Sequence, residues 1–255
     1  MHLLKLDLKL SRLSLIIWTA ALSSVMAICV LIYPIMEQSM AQLGEMFADM
    51  QVDMESIYGN FMKYFASEFS AEFGLGATLF AAITGIRMLS KEESGRTAEF
   101  LLTHPISRKR VVTEKLLSLV ISLTVLNVVV LLFVLGCCFA IGATFEFGTM
   151  LQLFLLYFML QLQIGAMTFG LSSLLRRGGI GIGLGMSVGL YFLDIIASLT
   201  EETEFLKYFT PFGYANGTAL VNGESIEFTK LFIGILLTAS GFLLAYLRYP
   251  KKDIH

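Results

Sequence analysis

Charged residues are scarce in this chain: only 15% of its 255 residues are Asp, Glu, Lys or Arg, whereas 56% are hydrophobic. A soluble domain of this length needs more charge than that to cover its apolar surface. The scarcity excludes an ordinary soluble enzyme or binding domain. It predicts an all-α, polytopic membrane protein, because lipid offers no water to exposed backbone groups and each crossing segment must satisfy its own hydrogen bonds.

Cysteine is also rare. Cys29, Cys137 and Cys138 all fall inside apolar runs. An odd number of cysteines in such runs argues against a disulfide framework, and neighbouring cysteines on one helix are poorly placed to share a metal. We interpret all three as small packing residues and predict no metal site.

Several catalytic and nucleotide-binding motifs are missing. The sequence has no Gly-x-x-x-x-Gly-Lys-Ser/Thr loop, so the chain is not expected to bind nucleotide phosphates itself. The alternating glycines at 179–185 lie in an apolar run and lack the Gly-x-Gly-x-x-Gly order. Neither His-Glu-x-x-His nor Gly-x-Ser-x-Gly occurs, which argues against an intramembrane hydrolase. We therefore predict that the chain is not an enzyme.

Long hydrophobic runs are abundant instead. A helix needs about 20 mostly apolar residues to cross a bilayer. Six stretches meet this requirement within one transmembrane domain covering residues 1–255, and they lie at 13–36, 70–90, 111–141, 149–174, 179–199 and 229–248. Among the 18 basic residues, only Lys63, Lys207 and Lys230 fall in the loops of one side. Because basic residues accumulate on the cytoplasmic side, both termini are predicted to be cytoplasmic.

Three segments between or beside the spans are predicted to lie near the membrane surfaces. Residues 1–12 alternate leucine with charge, which favours an interfacial helix over a disordered tail. Residues 37–68 place apolar side chains at three- and four-residue steps, which predicts an outer amphipathic segment. Residues 200–228 mix aromatic residues with proline and glycine, which favours an outer re-entrant or interfacial hairpin over an exposed loop.

Small and polar residues inside the spans are the candidates for packing and for a transport path. Two stripes of small residues repeat at four-residue steps and predict close packing of helices, within one subunit or across a dimer: Ala77, Ala81 and Gly85, and Gly181, Gly185 and Gly189. Asp194 is a carboxylate deep in an apolar run, so it is expected to face water or a polar partner, in a substrate path or a structural role. Asn127, Gln161 and Gln163 are candidates for the same path or for interhelical hydrogen bonds.

The cytoplasmic segment 91–110 carries the most specific pattern. Ser90 and Glu93 have the spacing of a capping box, and a short helix is predicted over 97–102. Pro105 ends that helix, and Ser107 is predicted to begin the next. From composition alone, this unit is either a docking surface for another protein or a solvated basic loop.

The string Glu92-Glu93-Ser94-Gly95-Arg96-Thr97-Ala98-Glu99-Phe100-Leu101-Leu102-Thr103-His104-Pro105-Ile106-Ser107-Arg108, followed by Lys115, resembles the permeases of ABC-2-type transporters. The resemblance extends over the whole chain, since that family has an interfacial N-terminal helix, six spans and outer re-entrant helices before the sixth. Residues 209–214, Phe-Thr-Pro-Phe-Gly-Tyr, are similar to its outer motif. Arg96 departs from the pattern by standing between Gly95 and Thr97.

The resemblance implies that the chain is the membrane subunit of an ATP-driven exporter in a prokaryotic cell membrane. It implies two ATP-binding partner subunits, which would hold ATP and Mg, and a second permease, identical or homologous. The coupling contact with the ATPase is implied for Glu92, Glu93, Arg96, Thr97, Glu99, Phe100, Leu101, Leu102, His104, Pro105 and Arg108.

The Met- and Phe-rich composition favours an amphipathic or hydrophobic cargo, such as a peptide, toxin, drug or lipid-like molecule. Two alternatives remain open at this point. One is an ion-gradient-driven secondary transporter, for which Asp194 is the only carboxylate deep in a span and no internal repeat is visible. The other is a membrane scaffold or immunity protein that transports nothing.

Overall fold

The computed structural model describes residues 2–47, 58–94, 107–175, 179–225 and 227–251. These residues are predominantly helical and contain no strand, and six of their helices are long and apolar enough to cross a membrane. The prediction of an all-α membrane protein with six spans is confirmed.

The bounds of the third to sixth spans follow the hydrophobic runs closely, whereas the first and second helices extend well beyond theirs. The second span consists of two α-helical parts joined by a π-helical turn, and the connection before the sixth span contains three short helices. The spans are His2–Phe47, then Phe61–Glu68 with the π turn Phe69–Phe73 and Gly74–Ser94, then Arg108–Ile141, Phe147–Ser172, Ile180–Ala197 and Phe228–Arg248. The short helices are the 3₁₀ helices Glu201–Phe209 and Pro211–Tyr214 and the α-helix Gly217–Val221, and the 3₁₀ turn Tyr249–Lys251 follows the sixth span.

Local chemistry explains where several helices begin and end. The Ser107 hydroxyl accepts a hydrogen bond from the Arg110 backbone N–H at 3.3 Å, so the third span begins where the sequence predicted. Gly142 ends that span with φ 67°, a left-handed conformation that favours glycine. Ser90 does not cap a helix: it lies inside the second span, and its hydroxyl donates to the Ile86 carbonyl at 2.7 Å.

The second span begins earlier than the sequence predicted. It starts at Phe61, which Asn60 caps by accepting a hydrogen bond from the Lys63 backbone N–H at 2.9 Å. Phe61 and Phe65, which the sequence assigned to an outer amphipathic helix, are buried in the core of the bundle. The start of the predicted segment 37–68 is likewise part of the first helix, which continues to Phe47, and residues 48–57 lie outside the described residues.

The predicted interfacial helix over residues 1–12 is not a separate element. Helical structure runs without a break from His2 into the first span. Leu3 and Leu4 are buried, and the Leu4 backbone N–H donates to Glu114 of the third span. The contact of this stretch with the membrane surface stays a prediction.

The second and fourth spans form the centre of the bundle. Their most apolar stretches are 72% and 61% buried, compared with 17% in the fifth span and 22% in the sixth. The two central spans approach closely because Gly85 has no side chain: a methyl group there would collide with the Thr168 hydroxyl and the Gly165 carbonyl. Toward the other end, Phe69 packs against Phe154 with 4.6 Å between ring centroids.

Candidate coupling and transport sites

The beginning of the third span is bound to the end of the sixth. Arg108, in the first turn of the third span, donates from Nη1 to the Pro250 carbonyl at 3.1 Å. One helical turn further, the hydroxyls of Thr113 and Tyr246 lie 2.7 Å apart. These bonds place Arg108, near the end of the predicted coupling segment, directly against the C-terminal end of the sixth span.

The same part of the third span is bound to the N-terminal helix. Lys115, only 1% exposed, holds its ammonium nitrogen 3.4 Å from Asp7 Oδ2. Glu114 accepts from the Leu4 backbone N–H at 3.2 Å and from Arg110 Nε at 3.1 Å. A buried charge is costly unless it has a partner, so the Lys115–Asp7 pair fixes how these two helices meet. Both chain ends and the start of the third span thus lie at one end of the bundle. This agrees with six membrane crossings, because an even number returns the chain to the side on which it began.

The predicted coupling residues lie on either side of a short gap in the described chain. Glu92 and Glu93 are in the last turn of the second span, and Arg108 is in the first turn of the third. The other predicted coupling residues lie outside the described residues, and they are Arg96, Thr97, Glu99, Phe100, Leu101, Leu102, His104 and Pro105.

Asn127 and Gln161 form a buried amide pair between the third and fourth spans. Asn127 Nδ2 donates to Gln161 Oε1 at 2.6 Å, and Gln161 Nε2 donates back to Asn127 Oδ1 at 3.3 Å. The exposed fraction of Asn127 is 7% and that of Gln161 is 0%. The sequence left two roles open for these amides, lining a transport path or forming interhelical hydrogen bonds. In the structure they form interhelical hydrogen bonds.

Gln163 lies on a different face of the fourth span and packs against the sixth. A methyl group on Gly234 would lie 2.5 Å from Gln163 Nε2, so the glycine makes room for the amide. Gln163 is 3% exposed, and its Oε1 has no hydrogen-bond partner in the described part of the chain. The structure therefore does not bring Gln163 together with the Asn127–Gln161 pair.

The two stripes of small residues have opposite surroundings. Ala77 and Ala81 are fully buried, and Gly85 packs against the fourth span. Gly181, Gly185 and Gly189 face outward, and a methyl group on any of them would meet no atom of the described residues within 4 Å. The inward face of the fifth span carries other residues: Gly183 packs on the second span, and Ser187 donates to Thr78 at 3.4 Å.

Asp194 lies on that inward face, beside a cavity of about 420 Å³ at the end of the bundle away from the chain termini. Ser70 of the second span, Tyr157 of the fourth, Tyr191 of the fifth and Phe212 of the outer segment contribute to its wall. Asp194 is half-buried, and its carboxylate makes no hydrogen bond or ion pair with the described residues. The cavity brings the predicted carboxylate together with hydroxyl and aromatic groups from four parts of the chain.

The outer segment is folded back against the spans. Tyr157 donates its hydroxyl to the Ala215 carbonyl at 2.7 Å, and Thr210 donates to the Leu190 carbonyl at 2.9 Å. Gly217 fits against Ser70, because a methyl group there would lie 2.5 Å from the serine hydroxyl. Depth in the bilayer stays a prediction for this segment, but its central residues are part of the packed bundle.

Tyr157 is a residue that sequence reasoning missed at this end, and it lies near Tyr214 of the outer motif at 209–214. Tyr157 is 2% exposed, and Tyr214 is 5% exposed with a hydroxyl that has no partner among the described residues. Burial and the neighbouring Tyr157 raise the pKa of Tyr214, so it stays neutral. The available signal was a tyrosine in the middle of an otherwise apolar span, where its hydroxyl requires a partner.

The whole chain matches a known family of membrane proteins. A family model described as an ABC-2 family transporter protein matches residues 1–254. A search of curated proteins found no match. Members of the family are the membrane component of a transporter rather than its ATPase, and they generally work with ATP-binding subunits. With six apolar helices and a match over nearly its full length, the chain belongs to the ABC-2 transporter family as a multi-pass membrane permease.

Proposed function

We propose that this permease is the membrane subunit of an ATP-driven exporter in a prokaryotic cell membrane, coupled through residues 91–110 to two separate ATP-binding subunits. ATP and Mg would be held by those subunits. The observation that carries the proposal is the position of the coupling motif. It joins the second span, which is central to the bundle, to a third span whose beginning is bound to both ends of the chain.

The contacts around Arg108 and Lys115 suggest how a movement of the coupling segment is transmitted. Closure of the ATPases around ATP would push on residues 95–106. Because Lys115 pairs with Asp7 and Arg108 binds Pro250, a movement of the beginning of the third span would be passed on to the first and sixth helices. The three spans would then respond together, while the amide pair Asn127–Gln161 keeps the third span in register with the fourth.

We propose that a second permease, identical or homologous, packs against the outward face of the fifth span. Gly181, Gly185 and Gly189 form an uncharged strip on that face, and Phe192 and Ile196 continue it. Small residues allow helix backbones to approach closely in a membrane, where interhelical packing rather than water expulsion drives association. The transport path would lie between the two permeases.

An amphipathic or hydrophobic cargo fits this arrangement best. The polar groups that the described residues bury near the middle of the spans are neutral amides and hydroxyls rather than charges: Thr78, Asn127, Gln161 and Gln163 are examples. A strongly hydrated ion or sugar would need more polar groups to replace its water. A peptide, drug or lipid-like molecule would not.

The coupling contact is tested by reversing one charge in the motif. An affinity-tagged chain is purified from membranes of its own host, and ATP hydrolysis by the purified material is measured. We expect Glu99→Arg to remove most of the copurifying ATP hydrolysis, and the matched control Glu202→Arg, at the opposite end of the bundle, to keep it. Retention of full activity by Glu99→Arg would contradict the proposal. So would transport by the purified permease in vesicles that contain no other polypeptide.

A further inference from the structure

The cavity beside Asp194 has the chemistry of a cation site. Its volume of about 420 Å³ is within the range of small-molecule sites in proteins. Asp194 and Ser198 reach it from the fifth span at four-residue spacing, and Ser70 reaches it from the second. The Ser198 hydroxyl donates to the Asp194 backbone carbonyl at 3.0 Å, which leaves the Asp194 carboxylate free to accept hydrogen bonds from a ligand.

Lys207 also lines the cavity, but it and the nearby Lys230 both have carboxylate partners of their own. Lys230 is 2.8 Å from Glu227, and Lys207 is 3.5 Å from Glu204. Both lysines act on Asp194 only at longer range. Among the described residues, Asp194 is thus a half-buried carboxylate without a direct counter-ion. Such a group is costly in an apolar span unless a positive charge or water joins it.

Aromatic rings form another part of the cavity wall. Tyr191 and Phe212 meet edge to face, with 5.4 Å between ring centroids, and both line the cavity together with Tyr157. Aromatic faces attract cations, including the ammonium groups of ligands. A carboxylate beside such rings adds a charge-assisted hydrogen bond to an ammonium group that carries N–H donors. The apolar side chains Ile195 and Leu199 also line the cavity and are exposed, so an alkyl chain can leave it over an apolar surface.

We propose that this outer cavity binds the ammonium group of an amphipathic amine, with Asp194 as its counter-ion and the Tyr157, Tyr191 and Phe212 rings around it. The amine can come from a membrane lipid with an ethanolamine headgroup or from the cargo. The site lies within one permease. Binding there does not require the ATPase, and only the role of the amine as cargo rests on the proposed function.

Binding is tested with the full chain purified in dodecyl maltoside, a detergent without charge. The probes are dodecylamine and phosphatidylethanolamine, and the controls that lack an ammonium group are dodecanol and phosphatidylglycerol. Retained molecules are counted by native mass spectrometry. We expect at least one of the amine probes to be retained by wild type at about one molecule per permease, and neither control. Retention of dodecylamine alone assigns the site to soluble amines, and retention of phosphatidylethanolamine assigns it to lipid.

Variants of the cavity residues test whether the amine binds in this cavity. Asp194→Asn removes the charge with little change of shape, and its affinity for the amine should fall about tenfold or more. Glu202→Gln removes an exposed carboxylate outside the cavity and should bind as wild type. Ala71→Phe keeps Asp194 but fills the cavity, so it should also lose binding and decides the matter if Asp194→Asn does not fold.

Equal retention of amine and control probes by wild type would overturn the proposal, as would unchanged binding by Asp194→Asn or by Ala71→Phe. Since no ATPase is present in this assay, a negative result leaves the Glu99→Arg experiment unaffected. Conversely, loss of the ATPase association would leave amine binding intact.

Discussion

Glycine serves opposite purposes at two positions of this bundle. Gly85 lies where the two central spans cross, against the Gly165 backbone and the Thr168 hydroxyl. Gly181 lies on the outward face of the fifth span, with open space where a side chain would be. The residue type is the same, but only at the first position does the packing of one subunit depend on the missing side chain.

Replacing these glycines with alanine therefore has different consequences. Gly85→Ala should destabilise the protein by about 1–3 kcal/mol, because the added methyl meets a backbone carbonyl that cannot move aside. Gly181→Ala is the matched control, and it should leave the stability of the monomeric permease unchanged or raise it by up to about 1 kcal/mol through helix propensity. Thermal unfolding of both variants in detergent measures the difference, and equal melting temperatures would contradict the crossing at Gly85.

The Asn127–Gln161 pair makes a second prediction at this scale. Asn127→Leu and Gln161→Leu should each destabilise the protein, because each leaves one buried amide without its partner. The double variant should lose less than the sum of the two, with a coupling energy of about 0.6–2 kcal/mol. A double-mutant cycle of unfolding free energies gives this coupling, and additive losses would show that the amides act separately.

Hydropathy predicted the spans well where an apolar run ends in a helix-stopping residue. The third span begins at the Ser107 cap and ends at Gly142, as its sequence indicates. It placed the start of the second span too late, because Phe61 and Phe65 recur at the spacing of an amphipathic surface helix. Periodicity shows which face is apolar, but it cannot distinguish a membrane surface from the interior of the bundle as the partner of that face.

The outer segment before the sixth span is held by bonds that sequence reasoning could not identify. Tyr157 is far from Ala215 in the chain, so their hydrogen bond is a property of the fold. The aromatic, proline and glycine residues of the segment did indicate that it returns toward the membrane. They did not indicate which side chains bind it to the spans. Removing one of these hydrogen bonds should therefore change the stability of the segment while the spans stay folded.

Removing the Tyr157 hydroxyl should loosen this segment. Tyr157→Phe deletes one buried hydrogen bond of about 1 kcal/mol, so backbone amides over 210–221 should exchange hydrogen about fivefold faster. Tyr208→Phe, which alters a more exposed tyrosine of the same segment, is the control. Hydrogen exchange followed by mass spectrometry measures both variants, and unchanged rates over 210–221 would mean that the segment is held by other contacts.

At the scale of the whole molecule, the bundle has a centre and an open side. The second and fourth spans are enclosed, whereas the fifth shows most of its surface. The sequence showed two stripes of small residues but not which one faces outward, because both have the same four-residue spacing. Only the packing of the second span against the fourth distinguishes them.

The exposed face of the fifth span predicts where two permeases associate. In a chain whose Cys29, Cys137 and Cys138 are replaced by alanine, Gly185→Cys should form a disulfide-linked dimer when membranes are treated with an oxidant. Gly136→Cys is the matched control, since Gly136 of the third span is equally open in one subunit and should stay monomeric. Gel electrophoresis without reductant measures the linked fraction. Equal cross-linking at the two positions would place the second permease elsewhere.

The π turn at Phe69–Phe73 has a consequence for which changes of length the second span can accept. A π turn holds one residue more than the α-helix around it, while the segments before and after keep their orientation. Deleting a single residue from this turn should leave an unbroken α-helix, with Phe61 and Ala77 still pointing into the core. The same deletion at Ala82 would rotate the preceding part of the span by about 100° and turn its buried aromatic rings toward lipid. Within the second span, the π turn is thus the place where deletion of one residue is expected to be tolerated best.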